Sequence, residues 1–253
     1  MKKLSPVIDD YRIIKDHLEK FFFEIGTRCP YDKPMTAVYR QATLGNLPEH
    51  LVGLFLEAGF RRNGNSLYSM ACPDCQQCVP IKIHPGDVIL NRNQRRVLQK
   101  NRDTTTIDVG PLCVDEERIA LLDRFLTTRY PEKNSRARDY YAGFFLNSMT
   151  DTLEFRYSHK GRLIGVGIVD CGASWLNAVY FYFDPDFSHL SPGTFNILTL
   201  INRAREGELE NLYLGYWIEG LAAMSYKERF KPFYLLLDGV WQRHGMTGKV
   251  KGS

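Results

Sequence analysis

Two hydrophobic periods alternate along the chain, and the places where one gives way to the other mark its elements. Over Pro6–Ile25 the apolar residues Ile8, Tyr11, Ile14, Leu18 and Phe22 fall near helical spacing and predict a helix, although Phe21–Phe23 also reads as the start of a strand. Thr27–Met35 is a loop by its Cys-Pro-Tyr-Asp-Lys-Pro run. Leu47–Gly59 has a proline near its start, one apolar face and a closing glycine, and predicts a helix. Phe60–Met70 reads as two strands turning at Asn63-Gly64-Asn65, because Asn-Gly suits the left-handed positions of a hairpin turn. The alternation of Val79, Ile81 and Ile83 predicts a strand over Cys78–His84, and Asn91–Arg102 reads as a helix with a basic face.

The second half follows a different rhythm. Val114–Leu126 and Tyr140–Ser148 are helical by period, with the polar stretch Arg129–Arg138 as a loop between them. Leu153–Ser158, Leu163–Cys171 and Trp175–Phe183 then form a β-meander, broken at His159-Lys160-Gly161 and at Gly172. A helix starts at Ser191-Pro192, with Ser191 as its candidate N-cap, and runs to about Arg205. Asn211–Tyr216 predicts a strand, Met224–Phe230 a short helix and Pro232–Leu237 a last strand. The expected class is α+β, and this order is what an acetyltransferase-like (GNAT) core would show: a mixed sheet with flanking helices, in a duplicated or two-part arrangement. The expected division is an N-terminal region of residues 1–110, with the cysteines and the basic helix, and a GNAT-like domain of residues 111–253.

Composition narrows the class of partner. With 44% hydrophobic and 25% charged residues among 253, the chain reads as an ordinary globular protein large enough for a substantial core. No apolar run approaches the roughly 20 residues that span a bilayer, and the start has no secretory apolar region, so the expected location is cytoplasmic, with no membrane partner. The net charge of +4 is mild. Its distribution matters more: Asn91–Arg102 holds five Lys/Arg and no acid, so no i,i+4 partner neutralises its field. Arg92, Arg95, Arg96 and Lys100 can line one side of that helix and track phosphates, whereas the plain alternative is a solvated face.

Three further groups bear on chemistry. Cys72, Cys75 and Cys78 stand three residues apart, and Cys29 could supply a fourth ligand to a zinc ion or cluster; Pro73 and Pro80 explain the segment better as a tight turn with small, buried thiols. Arg61 and Arg62 are adjacent on a strand and point to opposite faces, so one at most faces a given pocket, where a guanidinium would hold a carboxylate or a phosphate. Leu212–Phe230 carries Tyr213, Tyr216, Trp217, Tyr226 and Phe230; Leu212 and Leu214 are expected in the core, and rings at the Gly215-Tyr216-Trp217-Ile218 turn could stack on a nucleotide. None of the six histidines is spaced from an acid or a cysteine as a catalytic triad requires.

These same stretches carry a resemblance. Cys29-Pro30-Tyr31, Gly59-Phe60-Arg61-Arg62-Asn63-Gly64, Asn91-Arg92-Asn93-Gln94-Arg95-Arg96, Tyr180-x-Tyr182-Phe183-Asp184-Pro185, Leu214-Gly215-Tyr216-Trp217-Ile218 and Met224-x-Tyr226-Lys227-x-Arg229-Phe230 are similar to motifs of the aminoacyl-tRNA–protein transferases, arginyl/leucyl branch. The chain departs from them at Asp32-Lys33, at Arg129-Tyr130 and at Leu221, where a cysteine is common, so no nucleophile sits in that turn. The resemblance implies transfer of an amino acid from aminoacyl-tRNA to proteins with N-terminal Asp or Glu, as a degradation tag, with leucine favoured over arginine as donor. It implies tRNA contacts from Arg92, Arg95, Arg96, Lys100, Trp217, Lys227 and Arg229, acceptor contacts from Arg61, Arg62, Cys29 and Tyr31, and catalytic groups among Tyr180, Asp184 and Tyr216. Eukaryotic members are held to ligate an iron–sulfur cluster through N-terminal cysteines; no cofactor is expected here. The competing classes are a coenzyme-A acetyltransferase, which needs a glycine-rich loop where Ser191-Pro192-Gly193-Thr194 offers one glycine, and a non-catalytic RNA-binding module.

Overall fold

The computed structural model describes residues 16–31 and 33–245, which form two sheets. Strands β1 (Phe23–Arg28), β2 (Thr36–Thr43), β3 (Arg61–Asn63) and β4 (Ser66–Met70) make an antiparallel sheet in the order β1-β2-β4-β3. The larger sheet holds β5 (Val79–Ile83), β6 (Thr105–Pro111), β7 (Thr152–His159), β8 (Arg162–Cys171), β9 (Trp175–Phe183), β10 (Asn211–Trp217), β11 (Phe233–Leu237) and β12 (Val240–His244). Its order is β12-β11-β5-β10-β9-β8-β7-β6, antiparallel except where β10 meets β9. The helices are α1 (Glu49–Glu57), α2 (Arg92–Asn101), α3 (Glu116–Arg129), α4 (Ala137–Phe144), α5 (Pro192–Glu206) and the short α6 (Ala222–Ser225).

Strand β8 shows how the apolar pattern builds the core. Leu163–Asp170 is buried throughout because both faces of the sheet are covered, which explains a continuous apolar run rather than alternation. On one face Ile164 and Val169 join Phe195, Leu198 and Ile201 of α5; on the other, Val166 and Ile168 join Leu122 and Phe125 of α3 and Tyr141 of α4. Each such side chain contributes about 1.5–3 kcal/mol on burial. The small sheet packs Leu67 against Phe55 of α1. Its β3–β4 turn needs glycine: Gly64 has φ +55°, and a Cβ there would stand 2.5 Å from the carbonyl oxygen of Gly143.

A buried ion pair locks the sheets together. Arg62 on β3 donates to Asp170 on β8 at 2.6 Å, with each side chain 1% exposed. Thr152 and the Asn177 amide also donate to that carboxylate.

Several expected elements differ in detail. Of the helix expected over Pro6–Ile25, residues 6–15 lie outside the described residues; residues 16–18 are α-helical as expected, Glu19–Phe21 is a 3₁₀ turn, and Phe23 opens β1, as the strand alternative had it. Ser191 precedes α5 but makes no side-chain cap, because it adopts the left-handed conformation, φ 55°. Met224–Phe230 splits into the end of α6 and a 3₁₀ turn over Tyr226–Arg229. Strands β5 and β6 begin before residue 111 and belong to the larger sheet, and the small sheet ends with β4.

Candidate active site

Strand β10 accompanies β9 for only three residue pairs, Asn211 with Trp175, Leu212 with Leu176 and Tyr213 with Asn177. Beyond them both strands deform at the same level. On β9 the pairing with β8 slips between Ala178 and Tyr180, so Val179 is extra; on β10 the pairing with β5 is irregular between Tyr213 and Tyr216, where Gly215 has φ +82°. Two parallel strands that part leave a wedge, and a cavity of about 130 Å³ fills it.

Its walls come from distant parts of the chain. Asn177, Ala178 and Val179 stand on β9, Leu214, Gly215 and Tyr216 on β10, Arg61 and Arg62 on β3, and Tyr68 on β4; Tyr31 enters from the loop before β2, and Met224 and Lys227 from the segment after β10. Among the described residues no carboxylate lines it. A larger, shallower hollow of about 590 Å³ lies along the edge strand β1 and the loop to β2. None of its lining residues is a buried polar group, so it offers no preorganised chemistry.

Charge in the cavity is unevenly matched. The Arg62 guanidinium is taken up by Asp170, whereas Arg61 meets only backbone carbonyls, at 2.6 Å to Phe60 and 2.9 Å to Gly215, and the ring faces of Tyr213 and Tyr216 at 5.8 and 5.5 Å. Burial lowers its affinity for a proton, and its Nε is without a partner. Lys227 is buried too: its Nζ donates to the Tyr216 carbonyl at 2.5 Å and lies 3.3 Å from Met224 Sδ. Burial, reinforced by Arg61, pushes its pKa down to about 7. The phenols move the other way. Burial raises Tyr31, Tyr68 and Tyr216, Tyr68 to about 12, so all three keep their protons and remain hydrogen-bond donors. Asn177 is pinned by Asp170 through its Nδ2, at 3.0 Å, and its Oδ1 has no partner.

The site candidates read from the sequence separate into groups. Tyr31, Arg61, Arg62, Tyr216 and Lys227 come together around the cavity. Lys227, expected at phosphates, lies inside it rather than on the surface. Tyr180 lies outside, packed among Phe125, Tyr140 and Phe145. Asp184 ends β9, held by Arg124 at 2.8 Å and Arg162 at 2.6 Å while accepting from the Asp186 backbone, which makes it a structural turn anchor. Trp217 is half-buried and donates to Glu228 at 3.0 Å. Four residues of the cavity had no place in the motif reading: Tyr68, Asn177, Ala178 and Val179. Of these Asn177 carried a signal, an amide within the apolar run of β9.

Helix α2 adjoins this region. Asn91 caps it reciprocally, its Oδ1 accepting from the Gln94 backbone and the Gln94 side chain accepting from the Asn91 backbone, both at 2.9 Å. Gln94 then donates to the Arg229 carbonyl at 3.0 Å, joining the helix start to the segment that carries Lys227. Arg92, Arg95, Arg96 and Lys100 are exposed, while Gln94 and Asn101 are buried. Arg95 also donates to the Leu90 carbonyl, and Lys100 to that of His189 at 2.7 Å.

The four cysteines Cys29, Cys72, Cys75 and Cys78 are half-buried and free. Cys72 accepts from the Val38 backbone at 3.4 Å, and burial with the neighbouring sulfurs pushes the Cys78 thiol up to about 12. Among the described residues no group of three metal-binding side chains is arranged to hold an ion.

Known proteins match along most of the chain. The family described as Arginine-tRNA-protein transferase matches with its N terminus over residues 27–96 and with its C terminus over residues 117–237. An aspartate/glutamate leucyltransferase of Marinobacter nauticus is 37% identical, covering 88% of this chain and 94% of its own length. One of Pseudomonas putida (strain W619) is 35% identical, with 88% and 95% covered. The solved structure of L-PGS from Bacillus licheniformis is similar at 11% identity and a TM-score of 0.49, covering 94% of this chain and 90% of that one. With both halves matched and relatives at this identity spanning nearly their whole length, the chain belongs to the arginyl/leucyl-tRNA–protein transferase family.

Proposed function

We propose that this chain transfers leucine from leucyl-tRNA to the α-amine of proteins beginning with Asp or Glu, and that the transfer takes place where β9 and β10 part. The observation that carries the reading is a small cavity with three buried cations, one of them matched by Asp170, three phenols, an amide, an apolar remainder and, among the described residues, no carboxylate. An aminoacyl ester is already activated, so the protein's task is to align two substrates and to stabilise charge. The phenols of Tyr31, Tyr68 and Tyr216 are protonated donors suited to the oxygen on which negative charge develops. Arg61, whose charge no acid matches among its hydrogen bonds, suits the acidic side chain of the acceptor. Tyr31 and Cys29 stand on the loop that borders it.

The donor follows from the same lining. An arginyl group would need a buried acid facing it; Asp184 is taken by two arginines, and Glu219 is exposed and does not line the cavity. Leucine needs only Ala178, Val179, Leu214 and Met224. The tRNA body lies on the outer face of α2, on Arg92, Arg95, Arg96 and Lys100, and extends over exposed Arg229 towards Trp217, since Gln94 joins that helix to the cavity wall. The parting strands and the strand–helix–strand order support an acetyltransferase-like core in a two-part arrangement, adapted to an RNA-borne acyl group. No described helix is long and apolar enough to cross a membrane, and a cytoplasmic place suits a substrate made of charged tRNA.

The test presents leucyl-tRNA, arginyl-tRNA and acetyl-CoA separately to peptides beginning with Asp, Glu or Gly. Leucine on the Asp and Glu peptides alone is expected. Faster incorporation of arginine, acetylation, or equal use of the Gly peptide would contradict the reading.

A further inference from the structure

The ammonium form of an acceptor terminus cannot attack an ester, so the reaction needs a proton acceptor, and the cavity contains few. Among the described residues no carboxylate or histidine lines it. Asp170 behind the wall is fully occupied by Arg62, Thr152 and Asn177. The phenols hold their protons tightly, and the guanidinium of Arg61 does not deprotonate in the useful range. One amine remains. Lys227 projects into the wedge from the turn after β10, fixed by the Tyr216 carbonyl and Met224.

We propose that Lys227 carries the proton of the transfer, taking it from the α-ammonium of the acceptor and returning it to the ribose oxygen of the leaving tRNA. This rests on the transferase reading above and adds the identity of the proton carrier. The lone pair freed on the α-nitrogen forms the new C–N bond at the ester carbonyl. The C–O bond to the ribose then breaks with its electron pair, the Lys227 ammonium protonates that oxygen, and the second proton that the nitrogen sheds in becoming an amide passes to solvent water. Lys227 ends neutral, as it began, and nothing is oxidised or reduced.

The surroundings favour the neutral amine at the start. Arg61, on β3, faces Lys227 with no acid among its hydrogen-bond partners, while Arg62 is matched by Asp170. The groups facing it from the other elements are the neutral phenols Tyr31, Tyr68 and Tyr216, and Tyr226 on its own segment, 6.0 Å from Nζ to the ring centre. Glu228, the nearest acid in sequence, is turned to the Trp217 indole. Burial and the Arg61 charge therefore act in one direction, to a pKa of about 7. An α-amine at about 8 can pass its proton to such a group at small cost.

The experiment measures single-turnover transfer from leucyl-tRNA to Asp-initiated peptides at saturating acceptor, as a function of pH. In the wild type the rate should rise with pH and level off near 7, whatever the basicity of the acceptor's α-amine, because the titrating group belongs to the protein. Lys227→Gln, which can still donate to the Tyr216 carbonyl, and Lys227→Arg, which keeps the charge, should each lose about 10²- to 10⁴-fold at pH 7. Both should recover partly as pH rises, with tRNA affinity near that of the wild type and a folded chain by circular dichroism. An inflexion that tracks the acceptor amine across peptides, a measurement needing no variant, would overturn the role of Lys227. So would Lys227→Arg within threefold of wild type. A wild type that transfers no leucine at any pH would instead overturn the transferase reading.

Discussion

Arg61 and Arg62 are neighbours with opposite duties, and what each guanidinium meets decides between them. Arg62 reaches a carboxylate with both partners out of solvent, so Arg62→Ala leaves Asp170 buried and unpaired. A loss of about 3–5 kcal/mol in unfolding free energy is expected, measured by chemical denaturation. Arg61 has only carbonyls and ring faces for partners, and on the proposed function its replacement touches the acceptor instead. Arg61→Gln should lower kcat/KM for Asp-initiated peptides by about 10- to 100-fold, the worth of one charge-assisted hydrogen bond, and reduce their preference over Gly-initiated ones. Lys227 leaves a signature in stability as well. Its pKa falls from 10.5 unfolded to about 7 folded, so between these values the unfolded chain binds the extra proton. The wild type should therefore gain stability relative to Lys227→Met as pH rises from about 7 to about 10.5, read from melting temperatures across that window. A difference independent of pH would mean that the amine is not desolvated.

Among the elements, α2 was the most legible in the sequence through its local run of basic residues, and the structure adds the Asn91–Gln94 cap that starts it. Val97 and Leu98 pack on the core, with the arginines outside. The β3–β4 hairpin was legible for the same reason, since Gly64 has no room for a side chain. Edge strands were not. Every residue of β1 is exposed, so Phe23 and Ile25 gave no alternation to read; β6 is buried only at Thr105, and β12 is polar. Such strands form because a neighbour offers its backbone, a fact of the tertiary structure. For α2 the expected outcome concerns salt. Arg92→Ala and Arg96→Ala, whose side chains enter no ion pair or side-chain hydrogen bond within the described residues, should weaken tRNA binding and flatten the slope of log affinity against log salt by about 0.7–0.9 each. An unchanged slope would remove the tRNA from this face.

At the scale of the whole molecule, the site arises from a topological accident that no local pattern announces. Residues 31, 61, 68, 177, 215 and 227 converge because β10 leaves β9 after three pairs and turns to β5. Motifs in the sequence marked Tyr216 and Lys227, but the same kind of signal marked Tyr180 and Asp184, which pack a core and anchor a turn. What distinguishes them is position relative to the parting strands. The most direct measurement is a structure of the chain with a short RNA ending in adenosine that bears leucine through a stable 3′-amide. The leucyl side chain should lie between Val179, Leu214 and Met224, its carbonyl oxygen near the phenols and its carbonyl carbon within reach of Lys227. A leucyl group seated in the hollow along β1, or anywhere that leaves the wedge between β9 and β10 empty, would contradict the account.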